Sequence, residues 1–300
     1  MISHLLVPLD GSRLAEAALP AAAALAARLA ARVTLLHVVE RDPPRAVHGE
    51  RHLKEAAEAR AYLDEVAGRA FPAGAVVERH VHEGAPDDVV ESIVAHAGEL
   101  APDLVVMCTH GRGGLGRLLF GTIAQQVIGR GRTPVLLVTP TPEGGAPPFD
   151  CRLMLVPLDG TPAHEVGLPL AAALGRALGA ELHLTAVVPT RATLAGEQAA
   201  AGQLLPRATA ELLEVQREEA EDHLAEHAAR LGTAGLTVTA DVCRGDPAAA
   251  IQECAARIRA DLVVLASHGR VGLDALFAGS VSATVARRAT TPLLVVPIAR

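Results

Sequence analysis

The chain repeats itself, and that repeat constrains its fold more than any other feature. Leu6-Val7-Pro8-Leu9-Asp10-Gly11-Ser12 returns as Leu155-Val156-Pro157-Leu158-Asp159-Gly160-Thr161, an offset of 149 from Asp10 to Asp159. Thr109-His110-Gly111-Arg112 returns as Ser267-His268-Gly269-Arg270, an offset of 158 from Gly111 to Gly269. At the same offset Gly121-Thr122 becomes Gly279-Ser280, and Thr133-Pro134-Val135 becomes Thr291-Pro292-Leu293. The second copy has therefore gained nine residues, which we place in the Ala/Gly/Gln-rich stretch from Pro189 to Pro206. Periods this long indicate duplicated domains and not a solenoid of short units. Three hundred residues then divide into two halves of ordinary domain size. We expect them at 1–140 and 151–300, with a linker over 141–150, where Pro and Gly crowd the sequence from Thr139 to Pro148.

Each half alternates short apolar runs with helical stretches. The runs Leu5–Leu9, Val33–Val39, Val76–Val81, Leu104–Met107 and Val135–Val138 read as buried parallel strands. Leu14–Ala31, Leu53–Ala67, Asp87–Ala97 and Ile123–Ile128 read as the helices between them. In the second half the strands fall near Leu153–Leu158, Leu182–Val188, Leu236–Val242, Leu262–Leu265 and Leu293–Val296. Parallel strands need helical crossovers, so the expectation is α/β: two tandem doubly wound, Rossmann-like domains of five strands each, helices on both faces. Ligands of such folds sit beyond the carboxyl ends of the strands, at the topological switch point.

Two strand ends carry chemistry. The first is Asp10-Gly11-Ser12, with its copy Asp159-Gly160-Thr161. An Asp leaving strand one accepts hydrogen bonds from a ligand hydroxyl or amino group; equally, Ser12 or Thr161 can simply start a helix, with Pro162 suited to its first position. The second follows strand four: Gly111, nine residues, Gly121-Thr122, repeated as Gly269, nine residues, Gly279-Ser280. Glycines there let backbone N–H groups approach a phosphate, and a Gly-Thr or Gly-Ser helix start adds free N–H groups, a hydroxyl and the positive end of the helix dipole. The same glycines would also serve a merely tight loop. Gly111-Arg112-Gly113-Gly114-Leu115-Gly116 fits the dinucleotide fingerprint, but it follows the fourth strand and its copy does not keep it, so a dehydrogenase reading fails.

Several function classes fall away. Aromatic residues make up 2% of the chain and the net charge is −7 with no long basic run, which argues against nucleic acid as a partner. Cys108, Cys151, Cys243 and Cys254 form no CxxC pair and have no base at readable spacing. His223 and His227 stand at i, i+4, a zinc-compatible spacing, but Glu221, Asp222 and Glu226 around them suggest a solvated charged face. His80 and His82 share one face of a strand without an evident further ligand. No basic-then-apolar leader opens the chain, and the Ala-rich stretch from Leu14 to Ala30 contains Glu16, Pro20 and Arg28. We expect a cytoplasmic protein that does not meet a membrane.

Two halves opening on Val-Pro-Leu-Asp-Gly-(Ser/Thr) and closing on (Thr/Ser)-His-Gly-Arg, nine residues, Gly-(Ser/Thr) resemble a tandem universal stress protein of the ATP-binding branch. The resemblance implies a strand order of 3-2-1-4-5 in each domain. It implies ATP as the cofactor, arriving with Mg, and at most a slow ATPase activity with no catalytic residue or protein-held metal. In half one it assigns the adenine nucleotide to Pro8, Leu9, Asp10, Val38, Met107, His110, Gly111, Arg112, Gly121 and Thr122. In half two it assigns Pro157, Leu158, Asp159, Val187, Leu265, His268, Gly269, Arg270, Gly279 and Ser280. The family's pattern begins with a further glycine, and here Cys108 and Ala266 replace it. Alanine is the smaller change, so half two is expected to be the better ATP site. The resemblance also implies an intramolecular pseudo-dimer through Val135–Val138 and Leu293–Val296, and leaves a further homodimer open. The competing reading is a nucleotide-free interaction protein that keeps the fold and uses neither pocket.

Overall fold

A computed structural model describes residues 2–40, 53–84, 88–109, 121–141, 145, 148–267 and 281–298, and the backbone alone at 46–47, 50–51, 110–112 and 118–120. The described residues form two compact units, one of 2–150 with 292–298, the other of 151–267 with 281–291.

The first unit runs β1 (His4–Pro8), α1 (Arg13–Glu16), α2 (Leu19–Leu29), β2 (Arg32–Val38), the two-residue strands β3 (Ala46–Val47) and β4 (Glu50–Arg51), α3 (Ala56–Ala70), β5 (Val77–His82), α4 (Val89–Leu100), β6 (Leu104–Cys108), β7 (His110–Arg112), β8 (Leu118–Phe120), α5 (Thr122–Arg130) and β9 (Val135–Val138). Its main sheet has the order β5-β2-β1-β6-β9, all parallel. Leu5, Leu6, Val7, Leu104, Val105 and Val106 have no exposed surface, as a strand covered on both faces requires. Aromatic rings being scarce, the helices approach the sheet on small side chains: α2 buries Ala21, Ala22, Leu25 and Ala26 at helical spacing. The sequence suggested one helix over Leu14–Ala31. It is two, divided at Ala17-Ala18, with Pro20 in the first turn of α2, where its missing N–H is tolerated.

The second unit runs β10 (Leu153–Pro157), the 3₁₀ turn η1 (Pro162–Val166), α6 (Gly167–Leu178), β11 (Glu181–Val188), α7 (Gly196–Leu204), α8 (Pro206–Thr233), β12 (Val238–Arg244), α9 (Pro247–Ile258), β13 (Leu262–Ser267) and α10 (Val281–Arg288). Its strands pair in parallel as β12-β11-β10-β13. The stretch from Pro189 to Pro206, where the nine extra residues are expected, contains α7 and leads into the 28-residue α8. The last strand, β14 (Leu293–Pro297), belongs with the first unit and pairs antiparallel with β9, Leu294 opposite Leu136.

One duplicated device sets strand register in both units. Asp103 Oδ2 accepts the N–H groups of Ser3 (2.7 Å) and His4 (3.1 Å), while Asp103 N–H donates to the His4 carbonyl. Asp261 does the same to Arg152 (2.8 Å) and Leu153 (3.0 Å). Burial opposes the Asp103 charge, but the bonds from Ser3 and His4 prevail and hold its carboxyl below the ordinary range. Locking the start of β1 to the start of β6 aligns their far ends, where the candidate site lies.

Candidate functional site

The first strand is flanked by β2 on one side and β6 on the other, so its carboxyl end is the point at which strand order reverses. The site begins with Leu9. Its N–H donates to the Leu36 carbonyl (2.8 Å), and its own carbonyl accepts from buried His37 Nδ1 (2.8 Å). So held, the chain turns at Gly11, whose φ of +87° suits glycine. Asp10 Oδ1 accepts from Ser12 N–H (2.9 Å) and from the Ser12 hydroxyl (2.6 Å), and Ser12 Oγ accepts Ala15 N–H (3.2 Å) to cap α1. The helix cap read from this motif is present, and the strand-end carboxylate takes part in the same hydrogen-bonded turn. Val38 and Met107 are buried at the ends of the adjoining strands, and Cys108 is partly exposed.

After β6 the sequence suggested a glycine loop. The backbone instead forms a hairpin, with His110, Gly111 and Arg112 opposite Phe120, Leu119 and Leu118. The apolar triplet Leu118-Leu119-Phe120 was the available signal. The hairpin returns the chain to its starting point: Gly121 N–H donates to the Thr109 carbonyl (2.6 Å), and α5 starts at exposed Thr122. No side chain caps that helix, so no cap side chain competes for its first N–H groups. A helix end of this kind attracts anions.

In the second unit Leu158 N–H donates to Thr185 O (2.8 Å), Asp159 Oδ1 accepts Thr161 N–H (2.9 Å), and Gly160 has φ +75°. The rest of the turn diverges. Thr161 makes no side-chain cap, a 3₁₀ turn replaces the first α-helix, and His164 Nδ1 lies 2.5 Å from Asp159 Oδ2. Val187 is half-buried and Leu265 buried at the neighbouring strand ends. Ser282 Oγ donates to the Ala266 carbonyl (2.8 Å), which ties the start of α10 to the end of β13. His268, Gly269, Arg270, Gly279 and Ser280 lie outside the described residues.

Sequence reasoning missed three residues at these turns. His37 reads as an interruption in an apolar strand, and it braces Leu9. His164, five residues after Asp159, engages the very carboxylate assigned to a ligand. Leu53 underlies the first turn: a Cβ on Gly11 would lie 3.0 Å from its Cγ and Cδ1. The sole lysine, Lys54, follows Leu53 directly.

The universal stress protein family model matches residues 1–139 and again 152–297. A universal stress protein of Mycolicibacterium smegmatis is 32% identical over 200 residues, 64% of this chain; the match spans 61% of that relative's length, less than two thirds. One from Methanocaldococcus jannaschii is 32% identical over 145 residues, 46% of this chain and 82% of that protein. Among solved structures, a universal stress protein from Archaeoglobus fulgidus matches with TM-score 0.66 at 19% identity, covering 98% of this chain and 96% of that one. A putative one from Pseudomonas aeruginosa matches with TM-score 0.69 at 17% identity, covering 99% and 93%. At such identities the likeness speaks for the fold alone.

Proposed function

We propose, because this chain belongs to the universal stress protein family, that it is an adenine-nucleotide-binding module of the stress response that signals by occupancy and shape. Its domains on this reading are 1–140 and 151–300, joined by 141–150, in a cytoplasmic protein. No described helix is long and apolar enough to cross a membrane.

The observation that carries the reading is the first unit's switch point. There a strand-end carboxylate and an uncapped helix start, returned by a hairpin, border adjacent strands. These residues fit ATP. Asp10 accepts from the ribose or base, Val38 and Met107 offer apolar walls, and the α5 N-terminus with the Thr122 hydroxyl takes phosphate oxygens. Bound ATP would bring its Mg and a hydrolysable anhydride, and among the described residues none stands out as a base for fast hydrolysis.

The second site differs more than its Ala266 suggests. His164 engages Asp159 Oδ2, so a nucleoside that hydrogen-bonds this carboxylate competes with an imidazole for that oxygen. Both strand-end aspartates are thus engaged within the protein, Asp10 by Ser12 and Asp159 by His164 and Thr161. The antiparallel register of β14 on β9 supports the expected pairing of the last strands. Extraction of nucleotide from purified protein, followed by MgATP titration of wild type, Asp10→Asn and Asp159→Asn, tests the proposal. Absence of bound nucleotide together with no MgATP binding at millimolar concentration overturns it and leaves the nucleotide-free interaction protein.

A further inference from the structure

A separate cluster of ligating side chains stands in the second unit. His223 and His227 sit one turn apart on α8, on the same face of the helix. From η1, Glu165 meets both: its Oε1 lies 3.0 Å from His223 Nε2 and 3.3 Å from His227 Nε2. The three ligand atoms all lie within 4.8 Å of one another. The charged residues nearby in sequence do mark a solvated face, since Glu221, Asp222 and Glu226 are exposed. Helical period, however, puts His227 with Leu224 and Leu231 on the buried stripe, at 6% exposure.

A hydrogen bond does not account for the approach of His223 to Glu165. His223 Nε2 is buried and has no hydrogen-bond partner among the described residues, although Glu165 Oε1 is only 3.0 Å away. The separation is short, but the N–H direction misses the oxygen. Ligands of one ion behave this way, because their lone pairs converge on the ion and not on each other. Around a tetrahedral ion with bonds of about 2.0–2.1 Å, ligand atoms lie ~3.3 Å apart. Two imidazoles and a carboxylate suit zinc and its transition-metal neighbours, whereas calcium and magnesium take oxygen ligands.

We propose that Glu165, His223 and His227 bind a divalent transition-metal ion of the zinc class, with one position of a tetrahedral ion left for water. Arg230 opposes loading. Its Nη2 donates to His227 Nδ1 (2.6 Å), which places the neutral ring's proton on Nε2. Metal binding takes the Nε2 lone pair, the ring proton moves to Nδ1, and exposed Arg230 turns outward. Because η1 also carries His164, the ion would clamp to α8 the segment that follows Asp159.

Two other clusters serve as controls. Asp241, beside His183 and Cys254, is already neutralised by Arg257 and bonded by Thr185. In the first unit the rings of His80 and His82 stand 4.7 and 4.8 Å from that of His96. The test is titration of tag-free, full-length protein with Co²⁺, read by visible absorption, and then with Zn²⁺. The expected result is a tetrahedral Co²⁺ spectrum saturating at one equivalent and bleached by Zn²⁺. Glu165→Gln and His223→Asn should each abolish the spectrum, while Arg230→Ala should tighten binding several-fold. Zn²⁺ should raise the unfolding midpoint of wild type but not of the two ligand variants, whose metal-free midpoints stay within a few degrees of wild type. An undiminished spectrum in both ligand variants, a spectrum lost in His96→Asn instead, or no binding at hundredfold excess would overturn the proposal.

Discussion

Placing a methyl group on each strand-one glycine tests how the two halves hold their aspartates. Gly11 and Gly160 occupy equivalent turns at φ +87° and +75°, so alanine at either is strained by about 1–2 kcal/mol. Their surroundings differ. The added Cβ at Gly11 would lie 3.0 Å from Leu53 Cγ and Cδ1, while at Gly160 nothing lies within 4 Å. Overpacking of this kind costs roughly 1–3 kcal/mol, and a leucine side chain can yield, so the lower end applies. Gly160→Ala should therefore destabilise its unit by about 1–2 kcal/mol, and Gly11→Ala by about 1 kcal/mol more. The units need not unfold together, so hydrogen exchange read peptide by peptide over β1 and β10 is the suitable assay. A cycle with Leu53→Ala should return a coupling of about 1 kcal/mol with Gly11→Ala and none with Gly160→Ala. Equal losses at the two glycines, or no coupling to Leu53, would show that Leu53 does not crowd the Gly11 turn.

Other outcomes follow from the same geometry. His164→Ala frees Asp159 and should strengthen nucleotide binding in the second half several-fold, seen by titration in an Asp10→Asn background; unchanged or weaker binding would show that the imidazole does not compete. Burial, with Asp241 close by, pushes the Cys254 thiol up to about 11, so iodoacetamide near neutral pH should leave it unlabelled in native protein and label it after denaturation, as peptide mass spectrometry can show. Burial first, and then Arg32, holds the His4 imidazole below its ordinary value. The folded state thus favours the neutral ring, and the stability this provides is present above the unfolded value of about 6.5 and lost as pH falls below it. The urea midpoint of the first unit should decline over that interval, less steeply in His4→Gln.

How much of this was legible depended on the range of the interaction. The strands at Leu5–Leu9 and Leu104–Met107 could be read because both faces are buried and the runs are apolar throughout. The break between α1 and α2 could not, since Ala17 and Ala18 favour helix and only Pro20 hints at a new start. The hairpin of β7 and β8 hid behind its glycines. At the site, Asp10 and Gly121-Thr122 could be found by repetition alone, because duplication doubles a local motif. His37, Leu53 and His164 act through contacts that no spacing announces. His227 shows the limit most clearly: acidic neighbours pointed to solvent, whereas the register of Leu224 and Leu231 put it in the buried stripe and beside Glu165.

Calorimetric titration of MgATP into nucleotide-stripped protein shows whether the strand-end aspartates and the Gly121-led helix start hold an adenine nucleotide. We predict saturable binding with Kd at or below about 1 mM, weakened in Asp10→Asn and in Asp159→Asn. No saturable binding to the folded wild-type protein at millimolar MgATP would contradict that prediction.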